Sequence, residues 1–161
     1  TTRILPDTND AFYPYTTGTQ LLNQERYQEA KVLLDEANRK RPDLEEVAYS
    51  LARADMALKL PAEVRRVLAP LVAGDKTPKY ETVMLTAEAC AAGGDHAAAV
   101  TMLERAVSHY GVNAAIMNGL GDNYLAQGRN GEALAAYRKS LELSPDQPDV
   151  KKKIQELDKK K

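Results

Sequence analysis

Three side chains in this sequence have the chemistry to ligate a metal or attack a substrate: His96, His109 and Cys90. They are the only histidines and the only cysteine among the 161 residues. A zinc or iron site needs several such ligands at close spacing, and neither histidine has a His or Cys partner at ligand spacing. His109 falls where a helix ends, a place that suits a cation. One cysteine cannot make a disulfide within the chain, and it leaves the redox compartment undetermined. Cys90 reads as a core thiol. Gly119-Leu120-Gly121 has the look of a phosphate loop, but it lies inside a helical pattern with no strand before it. No catalytic, cofactor or metal constellation can be assembled.

The charge balance narrows the remaining classes. The formal net charge is −1, so no global basic field draws in nucleic acid, and none is expected as a partner. Lysines gather only at the end, in Lys151-Lys152-Lys153 and Lys159-Lys160-Lys161. They read as a solvated helix face that suits a helix C-terminus. No apolar run reaches the length needed to cross a bilayer, so membrane insertion is not expected. The sequence opens Thr1-Thr2 without an initiator Met or a signal peptide. It is expected to be the C-terminal part of a larger bacterial protein, with cytoplasm and periplasm both open.

The elements that must position these residues are helices. Hydrophobic residues make up 43% and charged residues 28%, Trp is absent and Phe occurs once; this palette, rich in Ala and Leu, favours helix over strand. A period organises them. Residues 114–147 hold Met117-x2-Leu120-Gly121-x2-Tyr124, then Gly128, Ala133-x3-Tyr137, Ser140 and Pro145. One period earlier, residues 80–113 offer Val83, Ala87, Cys90, Gly94, Ala99, Leu103 and Ala106. Residues 45–79 offer Ala48, Leu51, Ala52, Val64, Leu68 and Leu71, and residues 11–44 offer Gly18, Leu21, Tyr27, Ala30, Leu34, Ala37 and Pro42.

This pattern resembles the tetratricopeptide repeat, with Met117 for the usual Trp and Tyr137 for the usual Phe. The second repeat departs most: Asp55 stands where Tyr is usual. His96 lies where the family often places an aromatic residue. The resemblance implies an all-α fold, an α-solenoid of stacked antiparallel helical hairpins forming a right-handed superhelix. Residues 1–10 would be a linker or arm, docked on the first hairpin through Ile4 and Leu5. Four repeats would follow at 11–44, 45–79, 80–113 and 114–147. Residues 148–161 would form a capping helix with Val150, Ile154 and Leu157 on one face.

Punctuation sets the helix limits. Turns are expected at Leu60-Pro61, Gly93-Gly94-Asp95 and Gly128-Arg129-Asn130. Breaks between hairpins are expected at Pro42-Asp43, Thr77-Pro78 and Ser144-Pro145-Asp146. Pro14 should shorten or distort the first helix, and Pro70 should kink or end its helix.

In such arrays the first helix of each hairpin lines a concave groove where partner peptides lie. Carried over by offset, the groove set is Tyr15, Thr19 and Asn23; Glu46, Tyr49, Arg53 and Met56; Glu81, Met84 and Glu88; and Asn118, Asp122 and Leu125. Its charged members are Glu46, Glu81, Glu88 and Asp122 against Arg53, so a neutral or basic segment is the expected ligand. The carboxylate clamp of chaperone-binding members is not reproduced. One frame holds Tyr15, Thr19, Ser50, Glu81 and Leu85, the other Tyr49, Arg53, Leu85, Ala115 and Gly119, and neither pairs cations. The implied function is a protein-interaction scaffold rather than an enzyme. Self-association through repeat edges or convex faces is the alternative.

Overall fold

The computed structural model describes residues 10–160; the expected docking of Ile4 and Leu5 lies outside them. The chain divides after Pro78 into two compact units. The first holds α1 (Phe12–Asn23), α2 (Tyr27–Lys40), α3 (Glu45–Ala57) and α4 (Pro61–Ala73). The second holds α5 (Tyr80–Ala92), α6 (His96–Tyr110), α7 (Ala114–Ala126), α8 (Asn130–Leu143) and α9 (Pro148–Asp158). In the first unit consecutive helices pack on one another, and α1 also touches α3. In the second, packing runs from α5 to α6, α7, α8 and α9 in turn.

Small residues opposite large ones explain why the paired helices lie so close. Gly18, Ala52, Ala87 and Gly121 recur at intervals of 34, 35 and 34 residues, and each is buried. Leu34, Leu68, Leu103 and Tyr137 recur at the same intervals and are likewise buried. A Cβ added at Gly18 would stand 2.8 Å from Leu34 Cγ, so nothing larger fits there without movement. The large residues fill the space that the small ones open, and native interiors tolerate little void. Val83, Leu103, Ile116, Met117 and Leu120 form the core of the second unit. A further cluster of Ala133, Leu134 and Tyr137 is covered by Val150 and Leu157 of α9.

The four tight turns share one backbone design. Glu25, Lys59, Gly94 and Gly128 adopt left-handed conformations with φ of 60°, 59°, 81° and 72°. After each, an amide reaches back over the turn: Arg26 N to Leu21 O, Leu60 N to Asp55 O, Asp95 N to Cys90 O and Arg129 N to Tyr124 O, all at 2.9 Å. This is the six-to-one bond that satisfies orphan carbonyls at a helix C-terminus. Pro61 opens α4 at a position that needs no N–H.

Pro14 acts more mildly than the sequence suggested, and Pro70 does not end its helix. Pro14 is the third residue of α1, where the N–H has no partner within the helix, so α1 still runs twelve residues. Pro70 does not end α4 on the spot, and the helix continues to Ala73. The ring removes one amide near a terminus, where the helix has only a few residues left to lose.

Candidate functional site

The first helices of the hairpins carry the expected partner-facing residues. In α1, Tyr15, Thr19 and Asn23 follow at spacings of four, which places them on one stripe. Tyr15 and Thr19 are half-buried and Asn23 is exposed. The Thr19 hydroxyl donates to Tyr15 O at 2.8 Å, so it is turned toward its own helix. In α3, Tyr49 and Met56 are half-buried while Glu46 and Arg53 are exposed.

A cavity of about 300 Å³ opens beside Tyr15, lined by Ala11, Phe12, Leu44, Val47 and Glu46 among others. Arg41 also borders it, but its guanidinium is gripped by both oxygens of Asp43, at 2.8 and 2.7 Å. That hydrogen bonding holds the Asp43 carboxyl down at about 2. Glu46, also on the cavity wall, is exposed.

In the second unit Met84 is half-buried against the core, and Glu88 and Glu81 are exposed. Asn118 and Asp122 sit one turn apart on α7 and are already engaged by side chains from beyond α8. Asn118 Nδ2 donates to Gln147 Oε1 at 2.7 Å. Gln147 Nε2 donates in turn to Ser140 Oγ at 2.9 Å and Ser144 O at 2.7 Å. Asp122 Oδ1 accepts from the Tyr137 hydroxyl and from Lys153 Nζ, each at 2.6 Å. Burial, reinforced by the bond to Asp122, pushes the Tyr137 phenol well above its ordinary range. Lys153 Nζ stands 5.4 Å from the Tyr137 ring centroid. Sequence reasoning missed Gln147 and Lys153 as partners of this face.

The three residues with chemistry of their own lie apart in structural roles. His96 Nδ1 lies 2.9 Å from Asn123 Oδ1, and Asn123 Nδ2 donates to Gly119 O at 2.8 Å. Cys90 is buried, and His109 is exposed in the last turn of α6. Among the described residues no group of three His, Cys, Asp or Glu is placed to hold a metal ion, and no helix is long and apolar enough to cross a membrane.

A second polar feature sits inside the first unit. Asp55, fully buried on α3, pairs through Oδ1 with Lys31 of α2. Its other oxygen is buried with no hydrogen-bond partner among the described residues. Burial raises the Asp55 carboxyl, and Lys31 opposes that shift only in part. The turn amide of Leu60 bonds the backbone carbonyl of Asp55, so the main chain of this residue closes the hairpin turn while its side chain reaches across to α2.

Comparison with known proteins identifies the pattern. Two sequence models of the tetratricopeptide repeat match the chain, one over residues 21–85 and one over residues 83–148. No curated protein sequence matches. Solved structures do. A MamA protein aligns with a TM-score of 0.85 at 21% identity, covering 95% of this chain and 82% of its own. YrrB, described as a TPR protein with an unusual peptide-binding site, aligns with a TM-score of 0.81 at 20% identity, covering 89% and 74%. PilF of Pseudomonas aeruginosa aligns with a TM-score of 0.75 at 19% identity, covering 91% and 67%. At these identities the likeness speaks to the fold, an all-α array of stacked helical hairpins.

Proposed function

We propose that this chain, which belongs to the tetratricopeptide-repeat family, is a protein-interaction scaffold that holds a partner segment along the first helices of its hairpins. The observation that carries this reading is the pair of stripes in the first unit. Tyr15, Tyr49 and Met56 are large side chains left half-open to solvent, and the cavity beside Tyr15 is sized for an apolar side chain. Tyr and Met supply contact area and adaptability at low ordering cost.

Thr19 and Asn23 continue the α1 stripe, and Arg53 sets register on α3. In the second unit Met84 and Glu88 of α5 and Asn118 and Asp122 of α7 play the same part. Glu46, Glu81 and Glu88 are exposed carboxylates, so the segment held is neutral or basic. No cofactor and no reaction enter this reading. A partner whose affinity is unchanged by Tyr49→Ala combined with Glu88→Lys would rule out this placement.

A second reading is self-association, favoured by Phe12, Tyr13 and Val32, which are 71%, 67% and 68% exposed. Sedimentation at rising concentration separates the two. Oligomers dispersed by Tyr13→Lys and Val32→Lys but untouched by Tyr49→Ala would favour assembly through those exposed side chains.

A further inference from the structure

We propose that Asp122 and the Tyr137 ring form a lysine-ammonium site, which the chain fills with its own Lys153 and which a lysine of a partner segment takes in exchange. The inference rests on the reading of α7 as a partner-facing helix.

The site is built before any cation arrives. The Tyr137 ring is fully buried against the cluster under α9, and its hydroxyl donates to Asp122 Oδ1 at 2.6 Å. That bond fixes the carboxylate rotamer. A single oxygen therefore presents its remaining lone pair beside an aromatic face, the pairing that suits an ammonium: a charge-assisted hydrogen bond with ring attraction added. Lys153 Nζ occupies this place, 2.6 Å from the carboxylate oxygen and 5.4 Å from the ring centroid.

The occupant is held loosely compared with the site. The Lys153 side chain keeps 39% of its surface exposed and that of Asp122 keeps 52%. Ion pairs this open to water contribute little and exchange readily. The helix that brings Lys153 is anchored elsewhere, by Val150 and Leu157, which are buried in the same cluster. Vacating the site therefore needs only a rotation of the Lys153 stem, with α9 staying in place. A cavity of about 350 Å³ beside it, lined by Asn118, Asp122, Gln147, Val150 and Lys153 among others, leaves room for an incoming side chain.

The built-in lysine has two consequences. It keeps the Asp122 carboxylate paired in the absence of a partner, and it sets a threshold. A competing lysine wins only when neighbouring residues of its own segment add contacts on the same face.

The test uses two acetylated, amidated pentapeptides, Ala-Leu-Lys-Leu-Ala and its norleucine analogue, titrated into the chain at fixed ionic strength. Backbone amide shifts of Asp122 and Asn123 report binding. Lys153→Met keeps the apolar stem and removes the competitor. It is expected to bind the lysine peptide at least about threefold tighter than the parent chain and to prefer it over norleucine. Lys153→Arg should retain the block. Asp122→Asn in the Lys153→Met background should erase the preference. Equal or absent binding of the two peptides to Lys153→Met, or no difference between that variant and the parent, would overturn the proposal. A partner that depends on Tyr49 and Arg53 but shows no lysine preference at Asp122 would leave the scaffold reading standing and remove this site. The reverse outcome would do the opposite.

Discussion

Gly121 of α7 and Tyr137 of α8 meet so closely that a Cβ on the glycine would stand 2.4 Å from Tyr137 Cε1. The phenol ring has no room to retreat, because it is fully buried and its hydroxyl is tied to Asp122. Gly121→Ala should therefore destabilise the second unit by about 1–3 kcal/mol, the range for overpacking, even though alanine is the better helix former. Gly131, on α8 with nothing within 4 Å of its added Cβ, is the control. Gly131→Ala should gain about 0.5–1 kcal/mol. Urea unfolding followed by circular dichroism measures both.

The tight turns predict an opposite pair of effects. Lys59, at a φ of 59°, holds a conformation that costs a residue with a Cβ about 1–2 kcal/mol, whereas Gly128 holds the equivalent one without that cost. Lys59→Gly should stabilise the first unit by about 0.5–1 kcal/mol, after the extra entropy lost by glycine. Gly128→Ala should destabilise the second by about 1 kcal/mol or more. Denaturation midpoints of opposite sign would confirm the shared turn geometry.

The buried pair between α2 and α3 predicts an asymmetry. Removing Lys31 leaves a fully buried carboxylate uncompensated, so Lys31→Met should cost about 3 kcal/mol or more at neutral pH. Asp55→Asn removes the buried charge and leaves Lys31, whose side chain is 29% exposed, free to turn to water, but it places an amide where one Asp55 oxygen already lacks a partner among the described residues. It should cost less than Lys31→Met, about 1–2 kcal/mol.

The same pair predicts a pH trend. The Asp55 carboxyl is raised in the fold above its ordinary 3.8. Its contribution to stability is therefore fully present below 3.8 and is lost as pH rises through the folded value. Without Lys31 the carboxyl rises further. The deficit of Lys31→Met should accordingly narrow as pH is lowered toward 3.8. Thermal melts of both proteins across that range check it, and a deficit that widens on acidification would contradict it.

The parts of this fold that were legible in the sequence are those where packing allows few residue types. Gly18 and Gly121 mark close helix contacts, and the large residues Leu34 and Tyr137 stand opposite them. Such complementarity must repeat at the period of the hairpin, so it shows as a pattern. The left-handed turn residues Glu25 and Lys59 were not legible, because the backbone imposes that conformation on residue types that do not advertise it. The pairing of Asn118 with Gln147 and of Asp122 with Lys153 was also hidden. The repeat pattern describes a helix facing outward along an array, whereas α7 has the last helix and its lead-in segment beside it. Spacing alone cannot tell an open face from one that the chain covers with its own side chains.

The most direct measurement of the scaffold reading is affinity capture from a lysate of the source cells, with this chain compared against Tyr49→Ala/Arg53→Ala and against an outward-facing control, Thr101→Ala on α6. Thr101 is exposed, and its hydroxyl donates to Ala97 O of its own helix. A partner polypeptide is expected to be recovered by the parent chain and by the control, and lost with the double variant. The same set of partners recovered by all three proteins would contradict the scaffold reading.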